Sequence, residues 1–351
     1  MKILFAGGGT LGPVTPLLAV IEALKEKQPD AVFVWVGTPH GPERDLLERR
    51  GIRFLHIPAA RLPRHPSIEW LFLPFKFVWS MYRSWSILSK EKPDVLVGAG
   101  GYTSVPLLVL GRFFGIPSWI HHQDVAGLLT HTILSPFVSK ITVSWEPSLG
   151  LFPAKKTSLV GNPVRKEVLS GSRARAVREF DLDLSFPTVF VTGGGTGAKW
   201  INESMFAIAD ELAKSANVIH ITGKGKMVKQ DLPLRYHAVE FLDEEMADAF
   251  SVADVVVSRA GMGTMTELAA MAKSVVLIPI PNSPQVVNAS VVSESVKVVD
   301  QDGTTPQMLL EMITALLGND DRRKKMGFRL RTLLRTDVAP ELADMILELG
   351  K

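Results

Sequence analysis

Two glycine-rich segments carry the clearest chemical signal in the sequence. The first runs from Gly7 to Gly12 and the second from Gly193 to Ala198, and each lies between a short apolar run and a segment with helical periodicity. Glycines between a strand and a helix let the backbone approach a phosphate, while the helix start offers free N–H groups and the positive end of its dipole. Both segments could therefore bind a phosphate-bearing ligand.

The first segment also matches the G-x-G-x-x-G fingerprint of dinucleotide-binding folds. That fingerprint requires an acidic residue at the end of the second strand, where it holds the ribose of the cofactor. The predicted second strand of the first half, 32–36, is followed by the sequence GTPH, and that of the second half, 218–221, is followed by TGK. Neither sequence carries a carboxylate, which argues against an NAD-dependent dehydrogenase.

A third glycine turn offers another way to hold a ribose. Gly261, Gly263 and Thr264 open a predicted helix whose first turns also present Glu267. A carboxylate there could accept hydrogen bonds from both ribose hydroxyls while the turn and the helix N-terminus face a diphosphate. Alternatively, Glu267 only complements the helix dipole, and the residues by themselves leave both interpretations open.

The sequence indicates no metal site. It contains no cysteine, and its two D-x-D sequences, at 181–183 and 300–302, are expected in solvated loops. If helix dipoles and basic residues stabilise a departing diphosphate, no divalent ion is required. We therefore expect no metal and no other cofactor.

Composition limits the class of protein. The 351 residues are 46% hydrophobic and 21% charged, which is typical of globular proteins and enough for two domains. A net charge of +3 is too small to indicate nucleic-acid binding. Glycines interrupt the opening apolar run too early for a signal peptide, and no uncharged apolar run reaches the roughly 20 residues of a transmembrane helix. We expect a cytoplasmic protein.

The elements that must position the glycine turns occur twice along the chain. Short apolar runs alternate with helical periodicity in both halves, which predicts an α/β protein with two Rossmann-like domains, parallel sheets and a central cleft. We expect a first domain over 1–160 and a second over 161–336. The segment 337–351 is predicted to be a helix, capped by Asp337 with Pro340 in its first turn, that crosses back to the first domain.

Several segments together resemble the MurG family of GT-B glycosyltransferases across essentially the full chain. They include GAGGY at 98–102, HHQD at 121–124, GNPVR at 161–165, GGGTGA at 193–198, FLDEEM at 241–246 and the R-x-G…E helix at 259–267. The GNPVR link and the R-x-G…E helix, in this order and spacing, are the most specific. The chain is identified on these motifs as a member of this glycosyltransferase group.

The resemblance implies a site for a UDP-sugar in the second half. Arg165 should approach the UDP phosphates, the backbone of Leu242 should bind the uracil edge, and Glu267 should hold the ribose. Gln285 should contact the C3 or C4 hydroxyl of the sugar, which favours N-acetylglucosamine over its C4 epimer. The residues implied to line the diphosphate, the sugar and the cleft are Gly194, Gly195, Thr196 and Asn202.

The acceptor side departs from the family pattern. The resemblance implies that Thr10, Gly12, Gly101 and Tyr102 lie there, but Pro13 stands where the family has a histidine that is a candidate for acceptor activation. Proline cannot accept a proton. The family sequence His-Glu-Gln-Asn is HHQD in this chain.

An inverting transfer requires a base for the acceptor hydroxyl. We expect Asp124, or failing that His122, to be this base, because both follow a predicted strand where an open sheet presents its cleft. Alternatively, both residues only brace the loop.

Segment 70–85 predicts contact with a membrane surface. From Pro74 to Lys90 it has the pattern of a helix with a narrow polar stripe, Lys76, Ser80, Arg83 and Lys90, and a broad apolar face. Basic residues beside Trp and Phe suit an interfacial helix, whereas the alternative is a core helix packed on the first sheet. The residues we expect at the membrane are Trp70, Phe72, Phe75, Lys76, Trp79 and Arg83.

The resemblance implies a step of peptidoglycan synthesis. It is the transfer of N-acetylglucosamine from UDP to undecaprenyl-diphosphate-N-acetylmuramoyl-pentapeptide, by an enzyme peripheral to the inner face of the cell membrane. One alternative is a related transferase with a different lipid-linked acceptor, and another is a UDP-sugar-binding protein without activity. A UDP-sugar 2-epimerase shares the architecture, but the membrane-type helix argues against it.

Overall fold

The alternation of strands and helices predicted from the sequence is present in both halves of the chain. The computed structural model describes residues 1–9, 11–58, 69–195, 197–228 and 230–351, with the backbone alone at 69–71 and 99. Residues Met1–Pro163 and Asp337–Lys351 form one compact unit, and Val164–Thr336 form the other.

The strands and helices have the following bounds. The strands are β1 Lys2–Gly7, β2 Val32–Gly37, β3 Arg53–His56, β4 Val95–Gly100, β5 Ser118–His122, β6 Lys140–Val143, β7 Thr157–Leu159, β8 Thr188–Thr192, β9 Asn217–Ile221, β10 Tyr236–Val239, β11 Val255–Ser258, β12 Val275–Leu277 and β13 Lys297–Val298. The helices are α1 Val14–Lys27, α2 Glu43–Arg49, α3 Glu69–Glu91, α4 Ser104–Phe113, α5 Leu129–Leu134, α6 Lys166–Leu169, α7 Arg173–Glu179, α8 Lys199–Ala207, α9 Ala209–Leu212, α10 Glu245–Val252, α11 Met262–Ala270, α12 Pro284–Ser290, α13 Pro306–Leu317, α14 Asp320–Leu333 and α15 Ala339–Leu349.

Each unit is built on one parallel sheet, so the predicted α/β class is confirmed. The strand order is β3-β2-β1-β4-β5-β6-β7 in the first unit and β10-β9-β8-β11-β12-β13 in the second. The order reverses between β1 and β4, and again between β8 and β11. Such a reversal opens a crevice at the carboxyl ends of the two strands, where open α/β sheets bind their ligands. The glycine turns lie at these two places.

The first sheet is covered by helices on both faces. Successive side chains of a strand point to opposite faces, and β1 accordingly sends Ile3 and Phe5 to one core and Leu4 and Ala6 to the other. Helices α1 and α15 pack together in the first of these cores. Because α15 begins at Ala339 with Val338 in the cap position, the predicted N-cap at Asp337 is wrong.

Helix α3 begins earlier than the sequence predicts. Proline fits the first turn of a helix best, so we expected the helix to begin at Pro74. Instead α3 runs from Glu69, with Pro74 inside it. An interior proline removes one backbone hydrogen bond from the helix. The preference of proline for the first turn therefore does not predict where this helix starts.

Candidate functional site

The glycine turn of the first unit is closed by a buried carboxylate. Both Glu43 carboxylate oxygens lie 3.2 Å from the Gly9 amide nitrogen, and Glu43 Oε1 also accepts from Thr38 N at 2.8 Å and Thr38 Oγ1 at 2.6 Å. Glu43 is fully buried, and a side chain at Gly8 would collide with it. The Gly9 amide is therefore already paired with a side chain of the protein and is not free to bind a phosphate.

Glu43 does not lie at the end of β2, where the fingerprint of dinucleotide-binding folds places its acid, so that motif does not point to it. The carboxylate instead comes from the start of α2, after a short loop. The signal that could have found it is a glutamate in the first turn of a helix that follows a glycine- and proline-rich loop beside the glycine turn.

The glycine turn of the second unit is open. Gly194 has a φ of +80°, and no atom lies within 4 Å of where its Cβ would be. Its neighbours Gly193 and Gly197 are tightly packed, because a Cβ on either would collide with backbone atoms of Ala198 or Thr222. Gly195 is exposed. Two glycines therefore serve packing while Gly194 and Gly195 leave room for a ligand; Thr196 lies outside the described residues.

Arg165 and Glu267, predicted to bind different parts of the nucleotide, form an ion pair. Arg165 Nη2 lies 2.8 Å from Glu267 Oε1, and Nη1 lies 2.8 Å from Glu167 Oε1. The Arg165 and Glu267 side chains are only 16% and 12% exposed. Within the described part of the chain, the buried Arg165 Nε has no hydrogen-bond partner. One N–H of this guanidinium therefore has no acceptor among the described residues.

Burial and the ion pair act oppositely on the ionisation of Glu267. Burial raises the pKa of the Glu267 carboxyl, and the positive charge of Arg165 opposes that rise. For Arg165, burial lowers the pKa but the Glu267 and Glu167 carboxylates outweigh it, so the guanidinium stays charged. We take the pair to be ionised, because its geometry is that of a charge-assisted hydrogen bond.

Gln285 lies in the first turn of α12, and its side chain approaches the start of α11, the helix that carries Glu267. Gln285 Oε1 accepts from Ile280 N at 3.1 Å, and its Nε2 lies 3.9 Å from the position of a Cβ on Gly261, the N-cap of α11. Gly263 and Thr264 form the first turn of α11 and are partly exposed. The structure therefore gathers Gln285, the α11 N-terminus and Glu267 in one region of the second unit.

Two other predicted donor residues have different outcomes. Asn202 is buried, its Nδ2 donates to Thr222 O at 2.8 Å, and its Oδ1 lies 3.1 Å from His220 Nε2. Because both ends of its amide hold the end of β9, the prediction that Asn202 lines the cleft is not supported. The backbone N–H and C=O of Leu242, by contrast, make no hydrogen bond to any described residue.

The acceptor-side turns meet at the reversal point of the first sheet. Gly100 and Gly101 have φ values of +87° and +82°, and a Cβ on Gly101 would lie 2.9 Å from Gly8 O. Glycine is required at 101 by both the backbone conformation and this close approach. Gly12 is exposed and Tyr102 is partly exposed, while Thr10 lies outside the described residues.

Three buried histidines lie behind these turns. His121 Nδ1 is 2.9 Å from Thr142 Oγ1 and its Nε2 is 2.8 Å from Asn162 Oδ1, while His122 Nδ1 is 2.8 Å from His131 Nδ1. Burial lowers the pKa of His121 and His122 to about 4 and that of His131 to about 3. All three are therefore neutral at pH 7, and we call them the buried histidine cluster.

The cluster argues against one of the two candidate bases. His122 has no exposed surface, and its Nδ1 faces another imidazole, so one ring of the pair must donate and the other accept. The His122 ring therefore presents no surface to an acceptor hydroxyl. Asp124 is partly exposed, and its backbone oxygen accepts from Ser148 Oγ at 3.2 Å. Of the two, only Asp124 remains a candidate base.

The apolar face of α3 is exposed. Phe75 is 75% exposed, and large apolar side chains continue along the helix at Phe72, Phe77, Val78, Trp79, Tyr82 and Trp85. The buried face carries Ser80 and Ser84, which corrects our placement of Ser80 on the polar stripe. Lys76 is exposed and Arg83 is partly exposed, whereas the side chain of Trp70 lies outside what the structure describes.

The described residues contain neither a membrane-spanning helix nor a group of metal ligands. Over 1–9, 11–58, 69–195, 197–228 and 230–351, no helix is long and apolar enough to span a bilayer. Within the same residues, no cluster of three or more histidine and acidic side chains could hold a metal ion.

Two parallel Rossmann-like sheets, each with a glycine turn at its reversal point, match the GT-B fold. The description "Glycosyltransferase family 28 N-terminal domain" matches residues 3–143, and "Glycosyltransferase family 28 C-terminal domain" matches residues 188–337. The chain belongs to glycosyltransferase family 28, which confirms the resemblance found in its motifs.

Individual relatives cover nearly all of the chain. A Nocardioides protein named "UDP-N-acetylglucosamine--N-acetylmuramyl-(pentapeptide) pyrophosphoryl-undecaprenol N-acetylglucosamine transferase" is 34% identical over 100% of this chain and 98% of its own length. A Clostridium kluyveri protein of the same name is 34% identical over 90% of this chain and 91% of its own. Acinetobacter baumannii MurG superposes with a TM-score of 0.75 at 25% identity, covering 99% of each chain.

Proposed function

We propose that the chain transfers N-acetylglucosamine from UDP-N-acetylglucosamine to undecaprenyl-diphosphate-N-acetylmuramoyl-pentapeptide, with inversion at the sugar. The names of its full-length relatives support this choice of donor and acceptor. The observation that carries it is the arrangement in the second unit: an open glycine turn at Gly194, and Arg165 and Glu267 paired beside α11.

Each part of the donor has a group of suitable chemistry in this unit. The free backbone groups of Leu242 would bind uracil, and the Glu267 carboxylate would accept from the ribose hydroxyls. The diphosphate would lie at the N-terminus of α11 and the Gly194 turn, with Arg165 Nε donating to it. As the sugar leaves, the negative charge that develops on UDP is stabilised by these fixed N–H groups.

Asp124 is our candidate for the base. In an inverting transfer, the acceptor oxygen attacks the anomeric carbon, its proton passes to the base, and the bond to the UDP oxygen breaks. Asp124 follows β5 at the ligand edge of the first sheet, where its partial exposure permits contact with an acceptor.

The exposed face of α3 supports peripheral attachment to the cytoplasmic side of the membrane. Aromatic side chains with Lys76 and Arg83 beside them suit the boundary between headgroups and acyl chains, and basic residues favour anionic lipids. Binding to anionic liposomes at low salt, lost when Phe75 and Trp79 are both changed to serine, would support this attachment. Wild-type protein that ignores such liposomes would contradict it.

A UDP-release assay with lipid-linked acceptors tests the transfer. We expect turnover with UDP-N-acetylglucosamine and the N-acetylmuramoyl-pentapeptide lipid, and a much lower rate with the C4-epimeric donor. Asp124→Asn should lower kcat strongly and leave UDP affinity unchanged. Turnover only with another lipid-linked acceptor, or UDP-sugar binding without turnover on any acceptor, would reject the proposal.

A further inference from the structure

An apolar pocket lies in the first unit between α3, α4 and α5. Its volume is about 330 Å³, and its wall includes Leu73, Phe77, Tyr102, Val105, Leu129 and Ile133. That volume is within the range of small-molecule pockets, which are typically lined by apolar side chains with few polar groups. The wall is suited to a hydrocarbon chain.

The pocket adjoins the acceptor-side turn. Tyr102 belongs both to the pocket wall and to the turn between β4 and α4, where Gly100 and Gly101 adopt left-handed conformations. The next residue, Thr103, is 1% exposed, and its Oγ1 has no hydrogen-bond partner among the described residues. The polar end of a ligand at this turn would thus have a buried hydroxyl and the N-terminus of α4 beside it.

The pocket is also continuous with the exposed face of α3. Phe77 contributes to both, and is 46% exposed, while Leu129 on the α5 side is 55% exposed. A molecule in the pocket can therefore reach the acceptor-side turn at one end and the apolar surface of the unit at the other.

We propose that this pocket binds the first isoprene units of the polyprenyl chain that carries the acceptor. This inference rests on the proposed function, which supplies an acceptor with a diphosphate at one end of a long branched hydrocarbon. The first unit offers a matching environment for each part of this molecule. A polar turn could contact the diphosphate, and the apolar pocket and the apolar outer face could contact the hydrocarbon. The acyl chains of a membrane phospholipid carry no diphosphate, so a phospholipid in the pocket would not place a diphosphate at the acceptor-side turn.

The role of the site is to position the acceptor head group at the acceptor-side turn, at the carboxyl end of the first sheet. In a bilayer the hydrocarbon is already out of water, so moving it into the pocket yields little affinity. Without a bilayer the same burial is measurable, because each methylene removed from water strengthens binding by about fourfold. The test is therefore made without vesicles.

Calorimetric titration with methyl, dimethylallyl, geranyl and farnesyl diphosphates measures the pocket directly. We expect affinity to rise at least about tenfold from the methyl to the geranyl compound and then to level off as the pocket fills. Val105→Phe and Ile133→Trp, which fill the pocket from two helices, should remove most of that rise. Phe113→Ala is the matched control, because Phe113 is 76% exposed on α4 and is not part of the wall.

Thermal melting establishes that each variant folds before it is titrated. The proposal is overturned if affinity does not depend on chain length, or if both filled variants keep the wild-type dependence. It is also overturned if decyl phosphate binds as tightly as geranyl diphosphate, which would indicate a site for straight membrane acyl chains. Chain-length-dependent binding together with no sugar transfer to any acceptor would reject the proposed function and support this site.

Discussion

The Glu267→Gln substitution separates the ribose role of Glu267 from its pairing with Arg165. A carboxylate can accept from two ribose hydroxyls while it also accepts from Arg165, whereas an amide oxygen has fewer acceptor sites and no charge. Hydrogen bonds to charged groups contribute about 1.5–3 kcal/mol each. We therefore expect UDP to bind roughly 10- to 150-fold more weakly.

Calorimetry with UDP and with uridine assigns the lost interaction. If Glu267 holds the ribose, Glu267→Gln should weaken both ligands by the same factor. Arg165→Met should weaken UDP by a larger factor than uridine, because only UDP carries the diphosphate. Equal affinities of wild type and Glu267→Gln for UDP, or a loss confined to UDP, would refute the ribose assignment.

Glu167→Gln is the matched control for charge. Glu167 contacts the same guanidinium at the same 2.8 Å, but its side chain is 45% exposed. Exposed ion pairs contribute about 0–1 kcal/mol, so UDP affinity and the free energy of unfolding should change little. Arg165→Met should be the least stable of the three, because it leaves the buried Glu267 carboxylate without its cation.

Three further measurements follow from the structure. Glu43→Ala leaves the Gly9 and Thr38 amides without their acceptor and should lower the free energy of unfolding by about 2–5 kcal/mol, whereas Glu48→Ala on the same helix should change it little; equal urea midpoints would contradict this. Gly194→Ala and Gly115→Ala place a Cβ in open space at similar positive φ and should cost a similar 1–2 kcal/mol of stability, but only Gly194→Ala should weaken UDP binding. The buried histidine cluster has pKa values below the usual 6.5, so the unfolded chain binds more protons between pH 6.5 and about 4 and the free energy of unfolding should fall as pH falls through that window; pH-independent urea unfolding would exclude this.

The sheets and the glycine turns were predictable because their causes are local. A strand buried on both faces is encoded by a short run of apolar residues. The runs that contain Val34 and Val256 are recognisable in this way from the sequence alone. A turn with left-handed backbone favours glycine, as at Gly194. The position of each turn at a sheet reversal then follows from the order of strands.

The internal partners of polar side chains were not predictable, because they join residues far apart in sequence. Arg165 and Glu267 are 102 positions apart, and nothing near either residue indicates that one partners the other. Asn202 has a side-chain amide that could bind a ligand, yet this amide forms hydrogen bonds with Thr222 and His220. Ser80 is polar but faces inward, because the aromatic residues of α3 occupy the outer face.

The carboxylate of Glu43 makes the two halves of the chain chemically unequal although their sheets follow the same plan. A scaffold that could accept a phosphate twice has one of its two turns permanently occupied by its own side chain. Nucleotide should accordingly saturate the protein at one molecule per chain. Even an excess of donor would then have no second turn of this kind in the chain, so we expect no substrate inhibition through donor binding at the first turn.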